Sequence, residues 1–109
     1  MQRAVAAGEV VTIDCRTIID GLRVQRVGQI NLSVVQRYVD EIVTLTDREI
    51  FDAVPWIMER CKVVPEAAAA APVAALLAGI VHMPAGSKIV AVLSGGNLNL
   101  EQLKGLSWN

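Results

Sequence analysis

The chain has 109 residues, of which 53% are hydrophobic and 19% charged, with a formal net charge of −1. This length supports one small domain and no more. The near-neutral balance, with Lys and Arg scattered, argues against a nucleic-acid module or one held on an anionic membrane surface.

The apolar share is high for a domain of this size, whose surface is large relative to its volume. Extra apolar surface is therefore expected, meant for a partner or for the rest of a longer chain. Cys15 and Cys61 lie far apart and His82 is the sole histidine, a pattern that matches no familiar zinc spacing. No secretory signal opens the sequence, so a reduced cysteine pair in the cytoplasm is expected rather than a disulfide. The longest weakly charged run, residues 65–84, is too broken by proline and glycine and too rich in alanine to read as a membrane span.

In chain order, Met1–Ala7 reads as a helix end stopped by Gly8. Val10–Ile13 is a short β-branched run. Asp20-Gly21 is a turn signal, and glycine there suits a close backbone approach. After Gly28, Asn31 or Ser33 is expected to cap a short helix through Val34, Val35 and Tyr38. Glu41–Leu45 is a strand candidate, β-branched at Ile42, Val43 and Thr44. Thr46 and Glu49 form a capping box at the start of a helix whose apolar face carries Ile50, Val54, Ile57, Met58 and Cys61. Pro55 inside that pattern predicts a kink or break. An alanine-rich helix follows Pro65-Glu66 and ends near Gly79. Because Pro72 is tolerated only in a first turn, its regular part is expected to start near Ala70 or Ala71. Leu98, Leu100, Leu103, Leu106 and Trp108 mark a tail that packs down.

The central stretch is Lys88–Asn99, KIVAVLSGGNLN. Five apolar residues, Ile89–Leu93, end at Ser94-Gly95-Gly96-Asn97. A short apolar run closed by small residues reads as a strand buried on both faces of a parallel sheet. Ligands bind beyond the carboxyl ends of such strands. A tight turn leaving a strand uses the same residue types, so the motif alone leaves both readings open. The alternation of strands and helices predicts an α/β protein with parallel strands and crossover helices. Two or three strands make an incomplete sheet.

Five segments together resemble the C-terminal part of the catalytic domain of threonine and serine dehydratases and serine racemase, pyridoxal-phosphate enzymes of fold type II, the tryptophan synthase β-like architecture. They are Thr17-Ile18-Ile19-Asp20-Gly21, Val39–Leu45 with Glu49-Ile50, Glu59–Glu66, the alanine-rich helix, and Val92–Asn97. They run in order over nearly the whole chain, so residues 1–109 are expected to be a single partial domain. The chain departs from the family pattern at Ile19 and Ala70, at Val27 before Gly28, and at the two helix prolines.

The resemblance implies roles. Ser94 would hydrogen-bond the pyridine nitrogen of the cofactor, leaving the ring a weaker electron sink than a carboxylate partner would, which suits β-elimination. Gly95 would let backbone pass near the ring. Glu66 would lie beside the ring, or else stabilise a helix N-terminus. Gly21 would pack on one ring face, or else be an ordinary turn glycine. Asn97 is read as fixing the turn. No catalytic residue and no metal ligand is assigned. Lys62, Lys88 and Lys104 match no catalytic lysine, and neither the family's Schiff-base lysine nor its phosphate-binding glycine loop has a counterpart in these residues. The expected function is part of the cofactor wall of a threonine/serine dehydratase, cytoplasmic, with a hydroxy amino acid as substrate of the complete enzyme. The 109 residues alone are expected to be inactive and to associate with themselves or with the missing N-terminal part, without nucleic acid or membrane. Two alternatives are a truncated paralogue acting as a non-catalytic oligomeric binding protein and a piece of a serine racemase.

Overall fold

The structure, a computed structural model, describes residues 1–106, the side chain of Leu100 excepted. Five α-helices follow one another: α1 (Gln2–Ala7), α2 (Gln29–Tyr38), α3 (Asp47–Cys61), α4 (Ala67–Leu77) and α5 (Leu100–Lys104). The chain divides into two compact units, Met1–Thr44 and a second that begins at Leu45.

In the first unit α1 ends as expected at Gly8, which takes the left-handed conformation with φ 75°. Its amide donates to the Val5 carbonyl at 3.2 Å. α1 packs against α2, and Ala4, Ile19 and Leu32 are buried. α2 begins at Gln29, earlier than an Asn31 or Ser33 cap would place it. The Ser33 hydroxyl is inside the helix and donates back to the Gln29 carbonyl at 3.1 Å, the usual use of a mid-helix serine. Between the helices, Thr12 and Arg26 form an isolated antiparallel bridge. The Ile13 amide donates to the Gln25 carbonyl beside it at 2.9 Å. This clasp closes a loop that carries a 3₁₀ turn, Asp20–Leu22.

The second unit is built on α3 and α4, which pack on each other. The capping box at α3 is present. The Thr46 hydroxyl accepts from the Glu49 amide at 3.3 Å, and the Glu49 carboxylate accepts from the Thr46 amide at 2.7 Å and from its hydroxyl at 2.8 Å. These bonds hold the Glu49 carboxyl below its ordinary pKa, the backbone amide contributing most. Ile50, Ala53, Val54 and Ile57 are buried at the spacing of one helix face. Each of the larger three contributes about 1.5–3 kcal/mol on transfer from water.

Neither proline breaks its helix. α3 runs continuously through Pro55, so of the kink or break expected there the break does not occur, and α4 already starts at Ala67, which corrects the expected start near Ala70. A proline forfeits one amide and crowds the carbonyl four residues back, and tertiary packing outweighs that cost here. On α4, Ala67, Ala69, Ala70, Ala74 and Ala75 are buried, and side chains of one carbon let the helix lie close to α3. Gly79, with φ 65°, follows the end of α4 and donates to the Leu76 carbonyl at 3.1 Å. α5 opens with its own capping box, Asn99 with Gln102. Leu106 is buried and Leu98 and Leu103 are half-buried, so this part of the tail packs down; Trp108 lies outside the described residues.

No strand ladder forms among the described residues. Val10–Ile13 contributes only the bridge at Thr12, and Glu41–Leu45 and Ile89–Leu93 form none. The segment at 90–95 still keeps the two-residue rhythm of extended chain. Ala91, Leu93 and Gly95 are half-buried, whereas Val90, Val92 and Ser94 are exposed. Val90 is 88% and Val92 66% exposed, so this run is covered on one side rather than both. Extended chain becomes a ladder only when a neighbour accepts its amides and carbonyls, and no described residue supplies that neighbour.

Candidate functional site

Ser94 ends the alternating run with its side chain outward. Its hydroxyl makes no hydrogen bond to the described residues. Beyond Gly95 the Leu98 amide donates to the Gly96 carbonyl at 2.9 Å, closing a three-residue turn.

This turn sits against residues 64–66, which lead into α4. Pro65 is fully buried and anchors that approach. The Glu66 amide donates to the Gly95 carbonyl at 3.1 Å. The Glu66 carboxylate accepts the Asn97 amide at 3.1 Å. The carboxylate also lies against the Cα of Gly95: a β-carbon added there would meet Glu66 Cδ and Oε1 at 2.8 Å. One at Gly96 would approach the Val64 carbonyl oxygen to 3.2 Å. Both glycines are thus closely approached, Gly95 by the end of a flexible side chain and Gly96 by backbone, and neither has a positive φ.

Of the four residues expected at the site, the structure brings together Ser94, Gly95 and Glu66. Gly21 belongs to the first unit, exposed in the 3₁₀ turn Asp20–Leu22, whose flanking Asp20 carboxylate pairs with Arg23. Glu66 is the N-cap residue of α4, but its side chain makes no capping bond there. At the start of α4, the carboxylate is engaged with the 95–97 turn instead of a capping bond. Reasoning from sequence missed the supporting parts: the Asn97 amide, the Val64 carbonyl and buried Pro65. The adjacency of Pro65 and Glu66 was the one available sign, because a buried proline fixes where the next residue points.

The lysines stand apart from this turn's hydrogen bonds. Lys62 Nζ donates to the Glu59 carbonyl at 2.6 Å, Lys104 pairs with Glu101 at 2.6 Å, and Lys88 is exposed. Among the described residues no group of three metal-ligating side chains gathers. An open cleft of about 590 Å³ in the first unit, bordered by Gln2, Val35, Val39 and Ile42, contains none of the four expected residues.

An outward, unpartnered hydroxyl on a turn fixed from behind fits the nitrogen of a flat heteroaromatic ring. It does not fit a phosphate, which calls for several successive amides or a cation.

The family model for pyridoxal-phosphate dependent enzymes matches residues 1–95. The chain belongs to that family. It is 38% identical over 87 residues to an L-threonine ammonia-lyase of Thermotoga maritima, covering 80% of this chain and 21% of that protein. It is 37% identical over 92 residues to L-threonine dehydratase catabolic TdcB of Staphylococcus aureus, covering 83% of this chain and 27% of that one. Among solved structures, a threonine deaminase from T.th. superposes with a TM-score of 0.72 at 28% identity, over 89% of this chain and 35% of that one. The chain therefore has the fold of a part of that enzyme, and spans roughly a fifth to a quarter of the curated relatives it matches.

Proposed function

We propose that residues 1–109 are one partial domain, the C-terminal portion of a catalytic domain, and that the whole protein is a pyridoxal-phosphate dependent threonine or serine dehydratase of the cytoplasm. Such an enzyme converts a hydroxy amino acid to a 2-oxo acid and ammonia. The relatives' names and the family match support the class of reaction. The observation that carries the chain's own part in it is the exposed hydroxyl of Ser94, unpartnered on a turn fastened by Glu66.

Pyridoxal phosphate, when bound, supplies the electron sink for the carbanion left by removal of the α-proton. Ser94 would donate a hydrogen bond from its hydroxyl to the pyridine nitrogen and would offer that nitrogen no counter-charge. This favours elimination, in which the negative charge departs quickly with the β-substituent, over reactions that store it. Gly95 keeps the backbone slim beside the ring. Gly21 covers one face of it. No residue of these 109 removes or returns the substrate proton, so general acid–base work falls to chain outside them.

In the same reading, residues 41–45 and 89–93 are strands of a parallel sheet whose remaining members come from polypeptide not among these residues. The exposed side of Val90 and Val92 is the face that such polypeptide, or a second copy, covers. Substrate and cofactor bind in the completed enzyme, and neither nucleic acid nor membrane is a partner; no described helix is long and apolar enough to cross a bilayer.

The test is a titration of the ¹⁵N-labelled chain with pyridoxal phosphate, followed by amide resonances. The expected result is weak, saturable shifts centred on Ser94–Asn97 and Gly21, abolished at the turn by Ser94→Ala, with no turnover of threonine. Shifts confined to other surfaces would overturn the site. Threonine turnover by the 109 residues that disappears in Ser94→Ala would overturn their inactivity.

A further inference from the structure

We infer that Glu66 is a positioning residue: its carboxylate and amide clamp the Gly95–Asn97 turn and so hold Ser94 in its outward pose, and Gly95 is glycine because that carboxylate occupies the place of a β-carbon. The inference rests on the proposed role of Ser94 and reassigns Glu66 from ring neighbour to support.

Three independent contacts converge. The backbone bond from Glu66 to the Gly95 carbonyl and the side-chain bond from the Asn97 amide to Glu66 Oε2 bracket Gly96 from both sides. The second joins positions 31 residues apart in sequence, so the turn is fastened to the start of α4 rather than left as a free loop. The third contact is steric. At 2.8 Å from the carboxylate carbon and one oxygen, a β-carbon on Gly95 would force the carboxylate off the Asn97 amide. Gly95 is absent from the residues with positive φ, so its own backbone would accept an L side chain. The three atoms nearest that β-carbon all belong to the Glu66 carboxylate, so glycine at 95 goes with the carboxylate holding its bond to the Asn97 amide. Glu66 and Gly95 are therefore coupled: each fixes what the other can be.

An amide with a protein acceptor in a fixed turn exchanges its hydrogen slowly, and loss of the acceptor speeds exchange. Hydrogen exchange at the Asn97 amide reads the clamp without any cofactor. Glu66→Ala is expected to accelerate it by about tenfold. Glu66→Gln, which keeps a carbonyl oxygen to accept the bond, should leave it near wild type. Gly95→Ala should accelerate it to the same extent, yet add nothing further when combined with Glu66→Ala. Circular dichroism confirms that α3 and α4 persist, and if Glu66→Ala does not fold, Gly95→Ala carries the same test. Unchanged exchange in either single variant, or additive effects in the double, overturns the clamp. In a pyridoxal phosphate titration, Glu66→Ala should weaken the shift at Ser94 by about tenfold, in proportion to the lost order. Accelerated exchange with an unaltered Ser94 response would overturn the positioning role. A Ser94→Ala variant that responds like wild type would instead overturn the role of Ser94, a failure separate from that of the clamp.

Discussion

At the scale of single residues, Lys62 is, among the described residues, the one non-glycine with a positive φ. It terminates α3 with φ 58° and ψ 29°, the left-handed conformation that glycine or asparagine usually supplies. Its amide still makes the end-of-helix bond to the Met58 carbonyl at 3.1 Å, so the geometry serves the helix while the β-carbon works against it. Lys62→Gly removes that strain and leaves the bond in place. The variant is expected to be more stable by about 1 kcal/mol, measured by urea denaturation at matched slope. An unchanged or lower midpoint would show that the Nζ bond to the Glu59 carbonyl outweighs the strain. Ser94, by contrast, is not among the residues with positive φ, and its hydroxyl makes no hydrogen bond to the described residues. The Ser-Gly-Gly-Asn motif alone left a turn and a ligand site both open, and the reason for its first glycine was not legible in it. That reason is a carboxylate distant in sequence, and no local pattern records a contact of that kind.

Helices were read more accurately than strands, and the difference is physical. The α3 capping box is written within four residues, and its apolar face repeats at the period of the helix, so both were visible in the sequence. The prolines misled because intrinsic cost was weighed without the packing that offsets it. Pro72 is exposed on α4, at its sixth position, where the missing amide would have met the Ala68 carbonyl. Pro72→Ala is therefore expected to stabilise the chain by about 1–3 kcal/mol, read from thermal unfolding. A lower melting temperature would mean that the ring helps α4 through the unfolded state instead. The apolar content of Ile89–Leu93 and Glu41–Leu45 was correctly noticed, but a ladder depends on a second strand, and sequence composition says nothing about whether one lies alongside.

For the molecule as a whole, the proposed association has a surface to act through. The outward side chains Val90 and Val92, with Ile89 also exposed, form an apolar edge on backbone that makes no ladder bonds. Such edges pair with other chains unless charge or proline blunts them. Sedimentation velocity is expected to show mass rising with concentration for the wild-type chain. Val90→Lys with Val92→Lys should return it to a monomer without loss of helix. A wild-type chain that stays monomeric at high concentration would remove self-association from the proposal and leave only the absent polypeptide as partner.

The pairing of α3 with α4 has a kinetic corollary. The two helices are joined by a handful of residues, so bringing them together closes a very short loop at little entropic cost. Docking of sequence neighbours is among the faster steps open to a polypeptide. In refolding, this local pairing therefore precedes the longer-range closure between Glu66 and the 95–97 turn. Glu66 is then already in place when the later turn arrives to close over it.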